Sequence, residues 1–385
     1  MSVLIKEVTT RRELREFVNF PERLYKDNSY YVPPLVFDQM DTLDQKKGAA
    51  QEFCRSHLYL AYKDGKLAGR VAAIINDLAN KQWNHKEVRF GWYDFIDDKE
   101  VSGALMDKVE EFGRANGMDA VVGPLGFTDF DPEGLLIEGY DRLSTMALIY
   151  NYPYYVTHIE EMGFTKDADW IEYKIDIPKK LPEKMERVAA VIKERTNVHL
   201  RQLTKKIIRE EDYAHKIFKV INECYKDLYN FTVLPTSMAD KYIGFYLSIL
   251  DLNYVSIVEN ENNEVVAFGI TMPSIARALQ KSRGKLFPFG WWYLLKSLFI
   301  KREEGVEMLL VGVRPDYQNS GVNSLVFLDM FKKYSDAKVK WAETNAILED
   351  NLKNQRQFAD FDKECKKRRR SYIKRLSIRI YNNYV

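Results

Sequence analysis

The run Leu309-Leu310-Val311-Gly312-Val313-Arg314-Pro315-Asp316-Tyr317-Gln318-Asn319-Ser320-Gly321-Val322-Asn323 carries the clearest chemical pattern in the chain. An apolar strand enters a short polar loop, and the loop opens an amphipathic helix over Ser324–Tyr334. Unpaired N–H groups at a helix start, aided by the helix dipole, bind phosphate. A glycine there lets the phosphate approach the main chain closely. The loop lacks the Gly-Lys-Ser/Thr of a Walker A motif and shows no Rossmann GxGxxG. The plain alternative is an ordinary strand-to-helix turn.

Three further clusters could do chemistry. Asp129, Asp131 and Glu133 follow Gly126-Phe127-Thr128 and could hold a cationic amine, or form a solvated loop. Between Arg277 and Arg302 lie Arg277, Lys281, Arg283, Lys285, Lys296, Lys301 and Arg302 without an acidic residue, around Phe287, Phe289, Trp291 and Trp292. Aromatics flanked by cations suit a membrane interface or a lipid-lined channel; the alternative is a buried helix packed on another domain. Near the C-terminus Lys363, Lys366, Lys367, Arg368, Arg369, Arg370, Lys374, Arg375 and Arg379 stand against Glu364. Such a run is expected to attract anionic lipid, with a phosphate or nucleic acid as other takers and a solvated tail as the plain alternative.

The elements that must position these residues come twice. In the first half a capping-box pattern, Thr10-Arg11-Arg12-Glu13, opens a helix. His57–Tyr62, the turn Lys63-Asp64-Gly65-Lys66 and Leu67–Ile75 form a hairpin. Val88–Ile96 is a strand, Val101–Asn116 a helix and Met118–Val122 a buried strand. In the second half a helix from about Glu211 to Tyr229 precedes a hairpin of Asn253–Val258 and Glu264–Thr271. Val306–Val313 is a strand, Ser324–Tyr334 a helix and Val339–Thr344 a strand. The shared order, offset by roughly 200 residues, reads as a tandem duplication rather than a solenoid. The interruption at Ile177-Pro178-Lys179-Lys180-Leu181-Pro182 divides the chain into 1–178 and 183–385, with an insertion at 277–302 in the second part.

Composition narrows the classes. At 385 residues the chain has room for about two to three domains. Its 46% hydrophobic and 30% charged residues are an ordinary globular mix. The net charge of +2 argues against a nucleic-acid partner. Cys54, Cys224 and Cys365 form no CxxC, and His57, His85, His158, His199 and His215 form no HxH or HExxH, so no metal is expected. Met1-Ser2-Val3-Leu4-Ile5-Lys6-Glu7 shows no signal region. The apolar stretch Leu286–Ile300, broken by Pro288, Gly290 and Lys296, falls short of the ~20 residues a bilayer needs. A cytoplasmic chain, or one peripheral on the inner membrane face, is the expectation.

The strand, Val-x-Pro-x-Tyr-Gln, glycine and helix at 311–323 resemble the acyl-CoA pyrophosphate loop of the GNAT N-acyltransferase superfamily. The family pattern is Gln/Arg-x-x-Gly-x-Gly/Ala; here it reads Gln318-x-x-Gly321-x-Asn323, with a bulkier last residue. The repeated element order is also that of a GNAT fold. The resemblance implies an α/β protein with a mixed sheet, made of two tandem GNAT-like domains. In the second, Val311, Val313, Gln318, Asn319, Ser320, Gly321, Val322, Asn323 and Asn351 would bind acetyl-CoA or a longer acyl-CoA. Glu343, on the strand after the CoA helix, would be the base; Phe358 stands where the family often carries its tyrosine acid, leaving Tyr372 or Tyr317 as substitutes. The first half has Asp97, Asp98 and Glu100 in place of a glycine loop, and carboxylates repel a pyrophosphate. Its Asn151-Tyr152-Pro153-Tyr154-Tyr155 and Gly163-Phe164 still resemble the family's C-terminal helix, which implies structure or acceptor binding.

More weakly, the chain resembles bacterial GNAT-like proteins related to ceramide synthases, which acylate a long-chain amine. The implied function is acyl-CoA-dependent N-acyl transfer to an amine, with a lipid-like amine as the finer expectation. Asp129, Asp131, Tyr154, Trp291 and Trp292 are then the acceptor-side candidates, and an anionic membrane surface is a candidate partner. The rival is a non-catalytic GNAT-derived module that binds a membrane or partner, to which Asn323 and Phe358 point.

Overall fold

The structure, a computed structural model, describes residues 2–180, 183–300, 302–359 and 361–377. Leu181, Pro182, Lys301 and Arg379, named above, lie outside the described residues.

The first half runs β1 (Leu4–Glu7), α1 (Arg11–Leu24), α2 (Val36–Thr42), β2 (Cys54–Lys63), β3 (Lys66–Asn76), α3 (Asp77–Trp83), β4 (Glu87–Phe95), α4 (Lys99–Ala115), β5 (Ala120–Gly123), β6 (Leu135–Glu138), α5 (Tyr154–Glu161) and β7 (Thr165–Asp176). The second runs α6 (Glu183–Thr196), β8 (His199–Leu200), α7 (Lys205–Glu210), α8 (Tyr213–Tyr225), α9 (Thr236–Ile249), β9 (Val255–Glu259), β10 (Val265–Pro273), α10 (Ala276–Ser282), α11 (Gly290–Leu295), β11 (Gly305–Val313), α12 (Asn323–Asp336), β12 (Trp341–Thr344), β13 (Ile347–Leu348), α13 (Leu352–Arg356) and β14 (Lys363–Arg375). Thr10 caps α1 as its sequence demands: the Thr10 side chain accepts from the Glu13 N–H, and the Glu13 side chain accepts from the Thr10 N–H.

One 14-stranded mixed sheet spans both halves, in the order β1-β2-β3-β4-β5-β14-β7-β12-β11-β10-β9-β8, with β6 on β14 and β13 on β7. The centre is an exchange. β14, from the C-terminal end of the chain, lies between β5 and β7 of the first half, while β7 pairs with β12 of the second. α4 packs on the first half's hairpin and α12 on the second's, and each half has its own apolar cluster, around Leu105 and Phe90 in one and Val326 and Phe331 in the other.

The exchange overturns the reading of the basic run as a lipid-attracting or solvated tail. Residues 363–375 form a central strand with Arg369 at 0% exposure. Their charges are met by carboxylates: Arg369 by Glu172 (2.5 Å), Arg370 by Asp169 (2.8 Å), Lys374 by Glu110 (2.7 Å), and Arg368 by Glu349. The two buried cations, Lys367 and Arg369, are tolerable there only because carboxylates pair with both.

Candidate active site

β11 and β12 pair in parallel from Gly305↔Trp341 to Met308↔Thr344, then separate. Asn345 sits in the fork: its N–H donates to the Met308 carbonyl at 3.0 Å and its Nδ2 to the Leu309 carbonyl at 3.2 Å. Against β10 the register jumps from Thr271↔Met308 to Ile270↔Leu310, so Leu309 is a bulge that turns β11 away from β12. Beyond it Leu309, Leu310 and Val311 are half-buried, whereas Gly305–Met308 are buried. The Val311 carbonyl accepts from the Tyr225 hydroxyl (2.9 Å) and the Val313 carbonyl from Gln318 Nε2 (3.2 Å).

At the end of β11 the loop reaches the start of α12. Arg314 is spent on Asp316 (2.7 Å) and Glu264 (3.1 Å). Lys353 Nζ donates to Gln318 Oε1 at 2.8 Å, and the Ser320 hydroxyl accepts the Val322 N–H at 3.3 Å. Among the described residues no acceptor meets the N–H groups of Asn319, Gly321 and Asn323. Gly321 has φ +89°, a conformation strained for any residue with a side chain, and a Cβ there would have to displace Ile192 Cδ1, 2.6 Å away. These unpaired donors and the bare main chain suit a pyrophosphate.

The equivalent fork in the first half is closed. β4 and β5 pair from Glu87↔Ala120 to Arg89↔Val122. The start of α4 is capped by Asp98, whose Oδ1 accepts from Glu100 (3.0 Å) and Val101 (3.3 Å), with Lys63 bridging Asp98 and Glu100. At the end of β4 the Tyr155 hydroxyl accepts the Phe95 N–H (3.1 Å), and the Tyr154 hydroxyl donates to the Phe95 carbonyl (2.5 Å). Side chains of the same chain occupy the groups a ligand would use.

A charge cluster lies at the root of the open fork. Glu343 opposes Glu307 across β12 and β11. Lys367 of the exchanged strand reaches Glu343 at 2.5 Å and Glu172 at 3.3 Å. Burial pushes Glu343 up despite Lys367. Burial also pushes Glu172 up, but Arg369 and Lys367 outweigh it and hold it below the usual range. Among the described residues Glu307 has no cation of its own: Ser274 Oγ donates to Oε1 (2.8 Å) and the Met146 N–H to Oε2 (3.2 Å). Burial pushes its carboxyl up to about 7, with Glu343 adding to the rise. The register position of Glu307 is held in the first half by Arg89, whose guanidinium donates to the Gly126 and Asn230 carbonyls. Sequence reasoning missed Glu307, although a lone carboxylate amid Val306, Met308 and Leu309 was the available signal. It also missed Met146 and Tyr225, which nothing local marks.

Two adjoining cavities, about 830 and 670 Å³ to their open mouths, share Pro34, Gln39, Pro132 and Met146; the larger lies between the halves, and the smaller is lined by the first half alone. The larger touches the bulge at Leu309 and is walled by Asp38, Asp131, Lys241 and Leu279. Of the acceptor candidates, Asp131 lines it, with burial raising its carboxyl to about 7. Asp129 accepts the Thr232 N–H at 2.9 Å, and burial pushes it up to about 6. Tyr154 closes the first-half fork instead. Tyr372 is a correction: it is wholly buried in the first half's core, its hydroxyl donating to Glu160 at 3.1 Å, away from the 318–323 loop. Asn351 caps α13 by accepting the Asn354 N–H, and Phe358 packs against Phe327 and Tyr173. Trp291 and Trp292 stand on α11 and are exposed with Phe287 (78%), Phe289, Phe299 and Ile300, while Leu279, Leu286, Leu294 and Leu298 of the same segment pack with Val32, Leu35 and Met146 of the first half, so one face of the insertion is an inter-domain contact and the aromatic face is not. Among the described residues no helix is long and apolar enough to cross a membrane, and no three His, Cys, Asp or Glu could hold a metal ion.

A mixed sheet built twice, each half with a parallel strand pair that forks beside a helix start, defines the tandem GNAT fold, and this chain has it. It matches a solved tandem GNAT protein from the clavulanic acid biosynthesis pathway with a TM-score of 0.56 at 10% identity, over 98% of this chain and 99% of that one. It is 27% identical over 386 residues to Protein YghO of Escherichia coli K12, covering 97% of this chain and 95% of the relative. It is also 27% identical over 352 residues to the bacterial ceramide synthase of Caulobacter vibrioides, covering 89% and 90%. No family model matches the chain.

Proposed function

We propose that the second half is an acyl-CoA-dependent N-acyltransferase site and that its acceptor is an amine held in the cleft between the halves. The observation that carries this reading is Glu307, a buried carboxylate poised near neutrality at the root of the open fork. Asn319, Gly321 and Asn323 hold the pyrophosphate through their N–H groups, and Val311, Val313, Gln318, Ser320, Val322 and Asn351 shape that path. Bound acyl-CoA supplies the activated thioester. Glu307 takes the proton from the attacking ammonium as general base. Glu343, fixed by Lys367, acts on Glu307 rather than on the amine, keeping it proton-avid through like charge. Tyr225, with its hydroxyl at the Val311 edge and burial keeping it protonated, is placed to give its proton to the departing thiolate, which leaves as the thiol.

The finer reading is a lipid-like amine, supported by the name of the Caulobacter relative and by the apolar cleft. The exposed aromatics of 287–300, bordered by exposed Lys281, Lys285 and Lys296, then seat the protein on the inner, anionic membrane face. The test is release of free thiol from acetyl- through palmitoyl-CoA with and without long-chain amines. Amine-dependent release that disappears in Glu307→Gln supports the reading; CoA binding without amine-dependent release supports the non-catalytic rival.

A further inference from the structure

The cavity at the closed fork of the first half has no role in the chemistry above. It is lined by Tyr31, Val32, Trp92, Leu135, Leu148 and Tyr150. Its two charged groups and its indole N–H are already bonded within the protein. Arg70 pairs with Asp94 (2.7 Å) and donates to the Phe17 carbonyl (2.9 Å). Tyr25 donates to Asp94 Oδ1 (2.9 Å), and Trp92 Nε1 donates to Gln39 Oε1 (2.7 Å). A polar ligand would have to break these buried bonds and leave their partners unmet. An apolar one has only to displace water.

Asp38, Asp131 and Lys241 line the adjoining cavity, and Met146 joins the two: it lines both, and its N–H holds Glu307. Both linings are mostly apolar, and each carries charged groups of both signs, Arg70 and Asp94 in the first cavity and Asp38, Asp131 and Lys241 in the second. Trp92, with φ +45°, sits where β4 slips register against β3, as the Leu309 bulge does where β11 slips against β10. The first cavity is lined by the first half alone, and the second adds Lys241, Tyr242, Leu279 and Leu309 of the second half to a wall otherwise also of the first.

We propose that the first-half cavity binds a long unbranched alkyl chain whose polar head lies in the adjoining cavity beside Leu309 and Glu307. The position of the head rests on the acyl-transfer reading; the chain site does not. The chain belongs either to the acceptor amine or to the acyl group, and the two are separable by experiment.

Calorimetric titration of the whole protein, without acyl-CoA and below micelle-forming concentrations, compares butylamine, octylamine and hexadecylamine with the matching carboxylates. Each methylene taken up should tighten binding about fourfold until the cavity is full. Length-dependent binding of the amines assigns the chain to the acceptor, and of the carboxylates to the acyl group. Leu148→Trp, which fills the cavity, should weaken the hexadecyl ligand at least tenfold and leave the butyl one unchanged; Val32→Phe serves if that variant does not fold. A diazirine-bearing hexadecyl probe should label residues 135–150. No length dependence, unchanged affinity in both filled variants, or saturable labelling confined to 287–300 would overturn the site. Chain binding in a protein without transferase activity removes the acyl-transfer reading and leaves this site standing.

Discussion

The Met146 N–H, in the first half, donates to Glu307 Oε2, in the second, at 3.2 Å. Ser274 supplies the other oxygen's partner at 2.8 Å, and among the described residues no cation touches the carboxyl. The candidate base is therefore aimed by a backbone group from a half whose own fork is closed. On the acyl-transfer reading, the first half furnishes one wall of the cleft and one hydrogen bond to the base.

Because burial holds the Glu307 carboxyl at about 7, kcat/KM should rise about tenfold per pH unit below that value and level off above it. Glu307→Gln should lower kcat by about 10²–10⁴-fold. The stability effect has the opposite sense to a salt-bridged acid. The folded state keeps its proton between about 4.5 and 7 while the unfolded chain has released its own, so this group makes stability fall as pH rises through that window. Melting curves of wild type and Glu307→Gln from pH 5 to 8 should diverge in the variant's favour; parallel curves would remove the raised carboxyl from the account.

Gly321→Asp should abolish CoA binding. It places a side chain on Ile192 at a positive φ, and a negative charge where phosphate would lie. Titration calorimetry, with circular dichroism to confirm folding, decides it, and unchanged affinity would sink the loop assignment.

Saturating titration should give one CoA per chain, because Asp98, Tyr154 and Tyr155 already satisfy the first half's helix start and strand end. A stoichiometry of two would show that these contacts yield to the ligand.

Lys367→Met leaves Glu343 without its cation, and Glu172 with Arg369 alone. Removing one partner of a buried pair costs about 3–5 kcal/mol, and urea unfolding should show a loss of that order. An exposed tail lysine would show almost none.

Co-sedimentation with anionic vesicles should fall in the Trp291→Ser, Trp292→Ser double variant and fall further with added salt. Wild type that stays in the supernatant with both anionic and neutral vesicles contradicts the membrane seat.

The sequence by itself determined the repeated order of elements, the capped α1, the two hairpins and the glycine loop before α12. Each of these is written locally, in a 3.6- or 2-residue period, a capping pair or a turn residue. It also pointed to the aromatic segment, since eight large apolar side chains of 287–300 remain exposed in the fold. What only the tertiary structure decided is who meets whom. Lys363–Arg375 has the composition of a solvated tail, and it becomes a central strand because Asp169 and Glu172, about 200 residues away, neutralise it. Glu343 was visible as the carboxylate of a late strand, but β14 brings Lys367 to it, while Glu307 is left without a cation one strand over. Strand pairing between distant segments leaves no trace in local periodicity, and a buried carboxylate differs from an exposed one only through the groups that the fold sets against it.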